Sequence, residues 1–397
     1  MFQTSSVGSP RTRVYNSISA EVDDYLFLYD LLSFQSMSNA NRTPDVRPQA
    51  WAKNIVGVGG ISHRNTQSRS DDFSSGSSGP AQDGRIKPDL AHFYDSIFTT
   101  TTNGYTPSFG GTSGATPITA GLSGLFFQMW HEGVFPGHGG GTSVFDSRAK
   151  MATAKAMLIN SAFKYSLSQG GLGRINQGWG MISLRKMYNH RDLMFIVDET
   201  DLLAPLGVNC YEVEVAAGEN QLAVTMVYTD PMGPTSSTQH RINDLSLRVT
   251  SPGGVSYWGN NGLMTSNLSA PGGSSNTKDT VENVFVQNPE AGMWTVEVLG
   301  DEIIEDSHPE TPELDADYAL VVAGVVNGAA CGSCEPCDMN CDGAIDALDI
   351  EFFIDLLFNG TDPCCGNRGE VGSTGDVNLD GSIDAADIEG FINCLFP

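Results

Sequence analysis

The chain has 397 residues, of which 21 are Lys or Arg and 47 are Asp or Glu, and 40% are hydrophobic. This length and apolar content predict two or three domains with hydrophobic cores and exclude a disordered or fibrous chain. A formal net charge of -26 repels nucleic acid and anionic membrane surfaces, so we expect no nucleic-acid partner. The longest apolar run, residues 121–130, is shorter than the roughly 20 residues that a bilayer crossing needs, so we expect no membrane insertion.

Apolar runs alternate with helical stretches over the first 200 residues, a pattern typical of a parallel α/β sheet. Residues 26–34 and 54–61 are two of these runs. The strongest helix is predicted over about 115–130, with Pro117 in its first turn, where the missing N–H costs little. A second helix is predicted over 148–161.

Ser113 lies between small residues at the predicted start of the first of these helices. Small neighbours allow a substrate backbone to approach the hydroxyl, and a helix N-terminus supplies N–H donors and a positive dipole end for a developing oxyanion. The same pattern also describes an ordinary helix start with a glycine-rich lead-in. By itself the segment therefore leaves open a nucleophile or a plain helix N-terminus.

The wider sequence resembles the subtilisin-like serine proteases (subtilases). Their nucleophile motif, Gly-Thr-Ser-x-Ala-x-Pro, is matched at Gly111, Thr112, Ser113, Ala115 and Pro117. Other blocks of the family resemble, in the right order, residues 52–59, 73–75, 83–89 and 176–180. Residues 242–247 and 281–285 resemble markers of the alkaline proteases that carry a C-terminal β-sandwich. The resemblance implies a serine endopeptidase that acts on a protein or peptide substrate.

Carried over residue by residue, the resemblance implies Ser113 as the nucleophile and Asn39 as the side-chain donor of the oxyanion hole. Asn39 stands where the family has Ala-Gly-Asn, with Ser38 in place of the glycine. A turn capped by Asn39 is the alternative interpretation. His92 stands in a segment where the family has Ala-Pro-Gly, and a histidine beside Phe93 and Tyr94 indicates a packed side chain rather than a base.

The Asp and His of the family's triad precede the segment that residues 4–8 resemble, and neither block is present in this chain. We therefore expect the isolated chain to be inactive, because a serine without its base is a poor nucleophile. Either the chain is the C-terminal part of a longer protease, or it is a non-catalytic secreted or surface binding protein. We favour the first, since the chain starts without a signal peptide and in the middle of a predicted sheet.

Period-2 alternation of apolar and polar residues marks the next region, 205–327, and predicts half-buried strands. The alternating segments are 211–215, 222–228, 245–249, 294–298 and 318–322. Turn residues at 252–254 and 291–293 separate them. Together they predict an antiparallel β-sandwich of about 120 residues.

Residues 328–397 hold 14 acidic residues against one arginine, a net charge of -13, and seven of the eight cysteines. This composition predicts a separate module with disulfides, and hence a secreted or cell-surface protein, although no secretory signal is visible in the chain. The spacing of Cys331, Cys334, Cys337 and Cys341 also matches a bacterial ferredoxin, so an iron–sulfur or zinc site is the alternative. Cysteine pairing cannot be derived from the sequence.

Two copies of one twelve-residue frame, 338–349 and 376–387, place oxygen ligands at positions 1, 3, 5, 7, 9 and 12 and glycine at position 6. Each frame runs into an amphipathic helix, 350–358 or 388–396, and resembles the calcium loop of a dockerin-like domain, which implies a cohesin-like partner. The predicted Ca²⁺ ligands are Asp338, Asn340, Asp342, Ala344, Asp346, Asp349, Asp376, Asn378, Asp380, Ser382, Asp384 and Asp387.

Three domains are therefore predicted. Residues 1–197 are expected to be the C-terminal part of an α/β parallel-sheet subtilase catalytic domain. Residues 198–327 are expected to form the antiparallel β-sandwich, and residues 328–397 a small α-helical, calcium-binding dockerin-like module.

Overall fold

The computed structural model describes residues 2–331, 337, 339, 345, 347, 349–359, 375, 377 and 383–395. The chain divides into two compact units, Met1–Ala329 and Ala330–Pro397. Among the described residues, no helix combines the length and the apolar composition that a membrane span requires.

A five-stranded sheet with mainly parallel pairing organises the first part of the larger unit. Its order is β1-β2-β3-β4, with β5 also paired to β3, and only the β3–β4 pair is antiparallel. A two-stranded hairpin, β6–β7, follows. The strands are β1 (Phe2–Ser5), β2 (Leu32–Ser36), β3 (Val56–Ser62), β4 (Phe73–Ser75), β5 (Leu90–Phe93), β6 (Ile97–Thr101) and β7 (Gly104–Phe109).

Five helices accompany this sheet, and the two longest begin at recognisable signals. The Asn16 side chain caps the first helix by accepting from the backbone N–H groups of Ile18 and Ser19. The second follows Gly111, whose φ of 89° favours glycine. The helices are α1 (Ser17–Tyr29), α2 (Thr112–His131), α3 (Met151–Asn160), α4 (Arg174–Gln177) and α5 (Leu184–Asn189).

The longest helix, α2, starts three residues before the predicted Ala115, at Thr112. Pro117 is therefore the sixth residue of the helix and lies in its second turn, not its first as predicted. Its missing N–H is the one that would reach the carbonyl of Ser113, four residues earlier. The carbonyl of Ser113 is therefore left without its helical donor.

Two antiparallel sheets share a second hydrophobic core within the same unit. Their orders are β13-β10-β15-β8 and β12-β11-β14-β9-β16. All five alternating segments lie in these strands except for Tyr228, which follows β10, and the first strand, β8, begins at Met194. The strands are β8 (Met194–Leu203), β9 (Val208–Val215), β10 (Gln221–Val227), β11 (Asp244–Thr250), β12 (Ser256–Trp258), β13 (Val281–Gln287), β14 (Gly292–Glu302), β15 (Ala316–Ala323) and β16 (Asn327–Ala330).

A buried ion pair joins the parallel-sheet part to the antiparallel part. The Lys53 ammonium and the Asp230 carboxylate form a salt bridge in which both side chains are fully buried. Lys53 Nζ also donates to the carbonyls of Pro231, at 2.5 Å, and His240, at 2.8 Å. Because every donor has an acceptor, this pair can be buried without an uncompensated charge.

The described part of the smaller unit includes two helices, α6 (Asp349–Asn359) and α7 (Asp387–Leu395). Phe353 and Phe391 stack with their ring centroids 4.0 Å apart, and Cys337 forms a disulfide with Cys394. Cys331 is also disulfide-bonded, as is Cys210 of the larger unit.

Candidate active site

Three segments of the larger unit meet around Ser113: the end of β1, the loop after β2 and the N-terminus of α2. Because β1 and β2 are parallel, their carboxyl ends lie at the same edge of the sheet. Ser6, just after β1, donates its hydroxyl to the carbonyl of Ser113 at 3.1 Å. Ser38 and Asn39 follow β2 and contact Thr112, the first residue of α2.

Asn39 is fixed to the helix start through its side-chain oxygen. Asn39 Oδ1 accepts from the backbone N–H of Thr112 at 2.9 Å and from Thr112 Oγ1 at 3.1 Å. The side chain therefore caps α2 from another loop, since Gly111 at the cap position has no side chain. The amide nitrogen, Nδ2, donates to no group in residues 2–331 and remains available to a ligand.

Glycine at position 111 keeps this amide in place. A Cβ on Gly111 would lie 3.0 Å from Asn39 Nδ2 and 3.3 Å from its Oδ1. Such contacts would push the amide away from the helix N-terminus. The glycine of the motif therefore serves both the backbone conformation and the position of Asn39.

Ser38 adopts a backbone conformation that favours glycine. Its φ is 116°, and its N–H donates to Thr112 Oγ1 at 3.2 Å. The family motif that this segment resembles has a glycine at this position. Ser38 therefore adopts the backbone conformation of a glycine although it carries a side chain. Holding a non-glycine residue there costs strain of order 1–3 kcal/mol.

Ser113 itself is half-buried, and its hydroxyl makes no hydrogen bond within residues 2–331. Its backbone N–H, at the second position of α2, is likewise without an acceptor in that range. At the positive end of this 20-residue helix, two donors have no partner among residues 2–331: the Ser113 N–H, and Nδ2 of Asn39, whose Oδ1 bonds Thr112. This arrangement suits an oxyanion that forms beside the serine.

No histidine of the described chain hydrogen-bonds to Ser113. His63 Nδ1 contacts Asp95 Oδ1 at 2.7 Å, and His131 Nδ1 contacts Ser147 Oγ at 2.8 Å. The remaining histidines contact the Phe93 N–H (His92), the Trp130 ring (His138), the Lys186 carbonyl (His190), the Pro234 carbonyl (His240) and Thr311 Oγ1 (His308).

His92 lies on β5 and is only 7% exposed. Burial lowers its pKa to about 4, and the electrostatic effect of the nearby Arg69 and His63 acts in the same direction. Its Nδ1 accepts the backbone N–H of Phe93 at 2.8 Å. A neutral, packed histidine of this kind matches the interpretation made from the sequence.

The calcium ligands predicted from the sequence fall mostly outside the described residues. Nine of the twelve lie there: Asp338, Asn340, Asp342, Ala344, Asp346, Asp376, Asn378, Asp380 and Ser382. The other three are described. Asp349 and Asp387 are fully buried at the starts of α6 and α7 and accept the backbone N–H groups of Met339 and Asp384, and Asp384 accepts that of Ala386.

Sequence reasoning did not identify Ser6 or the cap that Asn39 forms on Thr112. One signal for Ser6 was available: a proline four residues after Ser113 leaves the Ser113 carbonyl without its helical partner, so some other donor is required. Nothing in the local sequence indicates that this donor follows β1, 107 residues away along the chain.

Comparison with known proteins finds a family model that this part of the chain resembles. Residues 5–181 match the model of the subtilase family. The serine protease/ABC transporter B family protein tagA of Dictyostelium discoideum is 26% identical over 257 residues, which are 57% of this chain and 14% of that protein. The chain therefore spans about one seventh of that relative's length.

Among solved structures, the prenylagaramide maturation protease PagA has a TM-score of 0.37 and 16% identity, over 48% of this chain and 61% of its own. Sphericase has a TM-score of 0.34 and 18% identity, over 45% of this chain and 55% of its own. The chain thus spans less than two thirds of either structure. Residues 5–181 are thus similar to the subtilase family, whose model matches this part of the chain.

Proposed function

We propose that the chain is the serine-bearing part of a subtilisin-like endopeptidase that cleaves protein or peptide substrates. The observation that supports this most directly is Ser113 at a helix N-terminus: within residues 2–331 its hydroxyl, its N–H and Asn39 Nδ2 have no hydrogen-bond partner. The family match of residues 5–181 agrees with this assignment.

In this proposal Ser113 Oγ attacks the carbonyl carbon of the scissile peptide bond. The negative charge that develops on the carbonyl oxygen is stabilised by the Ser113 N–H, by Asn39 Nδ2 and by the dipole of α2. The leaving amine takes up a proton as the acyl-enzyme forms, and water then hydrolyses the acyl-enzyme.

The proton of Ser113 Oγ needs a base, and no histidine of residues 2–331 hydrogen-bonds to it. The base and its orienting carboxylate must therefore come from groups outside the described residues, and the isolated chain is expected to be inactive. In subtilases the Asp and His blocks precede the matched region, so an upstream segment of the same gene product is the proposed source.

A fluorophosphonate probe tests this proposal, because it phosphonylates an activated serine and releases fluoride. A longer product of the same gene that contains the Asp and His blocks should be labelled at Ser113, and its Ser113→Ala variant should not. The 397-residue chain should stay unlabelled. A stop codon close upstream of Met1, or an unreactive longer product, would contradict the proposal.

The second candidate is a non-catalytic secreted or surface binding protein built from the same parts. The absence of a base beside Ser113 in the described chain is the observation that favours it. The same probe separates the two candidates, since a binding protein would leave every form of the chain unlabelled while still retaining peptide or partner binding.

For the smaller unit we propose a dockerin-like function, with two bound Ca²⁺ ions and a cohesin-like protein as partner. The buried Asp349 and Asp387, each at position 12 of its frame, fit a loop that closes onto the following helix. Bound Ca²⁺ would supply the positive charge that the -13 of residues 328–397 needs for compaction. Such a module would place the protein outside the cell or on its surface.

Calcium titration of the full chain tests this part. Helical circular dichroism should increase with Ca²⁺ and fall with chelator, and Asp342→Ala with Asp380→Ala should abolish the change. Mg²⁺ should substitute poorly, because its small octahedral shell suits these frames badly. Full helicity in chelator, or ordering by iron or zinc alone, would contradict the calcium sites.

A further inference from the structure

Three cations of the larger unit have no carboxylate partner, although the chain carries a net charge of -26. They are Lys164, in the loop after α3, Arg174, the first residue of α4, and Lys186, in α5. Arg174 is only 1% exposed, and both lysines are half-buried. Within residues 2–331, none of the three forms an ion pair. Positive charge that is removed from water without a counter-ion is costly, so its presence here requires a reason.

A pair of aromatic rings positions two of these cations. Lys164 Nζ lies 3.7 Å from the centroid of the Phe285 ring, and the guanidinium carbon of Arg174 lies 4.6 Å from that of the Trp179 ring. The two rings meet edge to face, with their centroids 6.4 Å apart, and both are buried. Because a cation is attracted to the face of an aromatic ring, these contacts hold both charges at one place.

The register of the antiparallel sheet brings Lys186 to the same place. Lys186 Nζ donates to Gln221 Oε1 at 3.3 Å. Gln221, on β10, pairs with Gln287 on β13, which is two residues after Phe285. Residues two apart on a strand share a face, so Gln221 and Phe285 are diagonal neighbours on one face, roughly 7–8 Å apart. The ammonium groups of Lys164 and Lys186 therefore contact neighbouring positions of the same sheet face.

The three positive charges disfavour one another. Burial lowers the pKa of the Lys164 ammonium well below its ordinary value, and the charges of Lys186 and Arg174 lower it further. Burial also lowers the pKa of Lys186 and that of Arg174, the latter to about 10. An anion bound among these groups would act in the opposite direction, because it stabilises the charged form of each of them.

The N–H donors that remain free indicate which anion fits. The guanidinium group of Arg174 already donates to three backbone carbonyls and to Asn267 Oδ1, at 2.7–3.2 Å. It therefore adds charge but offers no free planar pair of donors to a carboxylate. Within residues 2–331, the Lys164 ammonium makes no hydrogen bond and that of Lys186 makes one, so both retain donors. Lysine ammonium groups act as point charges and suit a phosphate group.

We propose that Lys164 and Lys186 bind a phosphoryl group, either as inorganic phosphate or as part of a phosphomonoester, with Arg174 adding a third positive charge. The ligand would supply the counter-charge that the described protein does not. None of these residues takes part in the Ser113 site, so the inference goes beyond the proposed function and does not depend on it.

Isothermal titration calorimetry of the full chain with inorganic phosphate, at pH 7.5 and constant ionic strength, tests the inference. Binding should be saturable, with a Kd at or below about 1 mM. Lys164→Met and Lys186→Met should each weaken it at least about tenfold, whereas Lys164→Arg, which keeps the charge, should weaken it less than about threefold. Acetate should bind at least about tenfold more weakly than phosphate. Glycerol 3-phosphate is titrated in parallel, and the tighter of the two phosphate ligands identifies the source of the group.

A matched control removes one positive charge elsewhere. Lys278 is exposed, and Lys278→Met should leave the affinity for phosphate unchanged. Tryptophan fluorescence verifies that each variant is folded, and the Lys186 variant tests the site independently if Lys164→Met does not fold. The absence of saturable phosphate binding, an equal loss in the Lys278 control, or acetate binding as tightly as phosphate would overturn the inference.

The test also separates this inference from the proposed function. Ser113→Ala should bind phosphate with unchanged affinity, because the hydroxyl does not belong to this site. Phosphonylation of Ser113 in a protein that does not bind phosphate would refute the phosphate site and keep the nucleophile. Phosphate binding in a protein whose longer product never reacts would keep the phosphate site and refute the peptidase.

Discussion

The hydroxyl of Ser6 donates to the carbonyl of Ser113, and this bond replaces the one that Pro117 cannot make. In an uninterrupted helix the N–H of residue 117 would bond the carbonyl of residue 113. Because proline has no N–H, the carbonyl of the candidate nucleophile is free to be held from β1. The position of Ser113 thus depends on the sheet as well as on its own helix.

A double-mutant cycle should detect this dependence. Ser6→Ala should lower the free energy of unfolding by about 1 kcal/mol, since it leaves a partly buried carbonyl without its donor. In the Pro117→Ala background the same change should cost about half as much or less, because the alanine N–H can now bond that carbonyl. Urea denaturation of the four proteins measures the coupling, and equal costs in both backgrounds would contradict the account.

Substitutions of Asn39 should separate its structural role from its chemical one. Asn39→Ala removes the cap on Thr112 and should cost about 1 kcal/mol of stability. Asn39→Asp keeps the acceptor and places a negative charge at a helix N-terminus, so stability should change by less than about 0.5 kcal/mol. In a catalytically complete longer product, however, Asn39→Asp should slow phosphonylation of Ser113 by about 10²–10³-fold, because the Nδ2 donor is lost. A full rate in that variant would exclude Asn39 from the oxyanion site.

The strands were predictable from the sequence, while the site was predictable only in part. Alternation with period 2 predicts strands such as β9, which has one face on a core, whereas β10 is buried on both faces and is not the half-buried strand that was predicted. The first turn of α2 was not predictable from local periodicity. Its start depends on Asn39, whose bond to Thr112 spans 73 residues of the chain. Contacts between segments so distant in sequence leave no local pattern.

The buried pair Lys53–Asp230 should be critical to the larger unit. Lys53→Met should lower the free energy of unfolding by about 3–5 kcal/mol, because Asp230 would remain as a buried carboxylate without a cation. Arg13→Met removes the solvent-exposed ion pair with Asp45 and should lower the free energy of unfolding by less than about 1 kcal/mol. Urea denaturation monitored by tryptophan fluorescence compares the two. Similar costs would show that the buried pair does not couple the parallel and antiparallel parts.

Acid should destabilise the protein partly through His92. Its pKa is lowered from 6.5 to about 4 in the folded chain, so the unfolded chain binds a proton between these values and the folded chain does not. Stability should therefore fall as the pH decreases from 6.5 to 4, by up to about 3 kcal/mol from this residue. His92→Asn, which keeps an acceptor for the Phe93 N–H, should show a correspondingly shallower loss. Parallel pH dependences for the two proteins would contradict the burial of a neutral histidine.

The central claim is that Ser113 has its oxyanion donors but that, among residues 2–331, no histidine hydrogen-bonds to it as a base. Chemical rescue tests it most directly: the 397-residue chain is treated with a fluorophosphonate, with and without added imidazole, and the adduct is located by mass spectrometry. We predict no labelling without imidazole, slow labelling of Ser113 with it, and none in Ser113→Ala. Rapid labelling without imidazole would show that a base is already present, and an unreactive Ser113 in both conditions would contradict its assignment as a nucleophile.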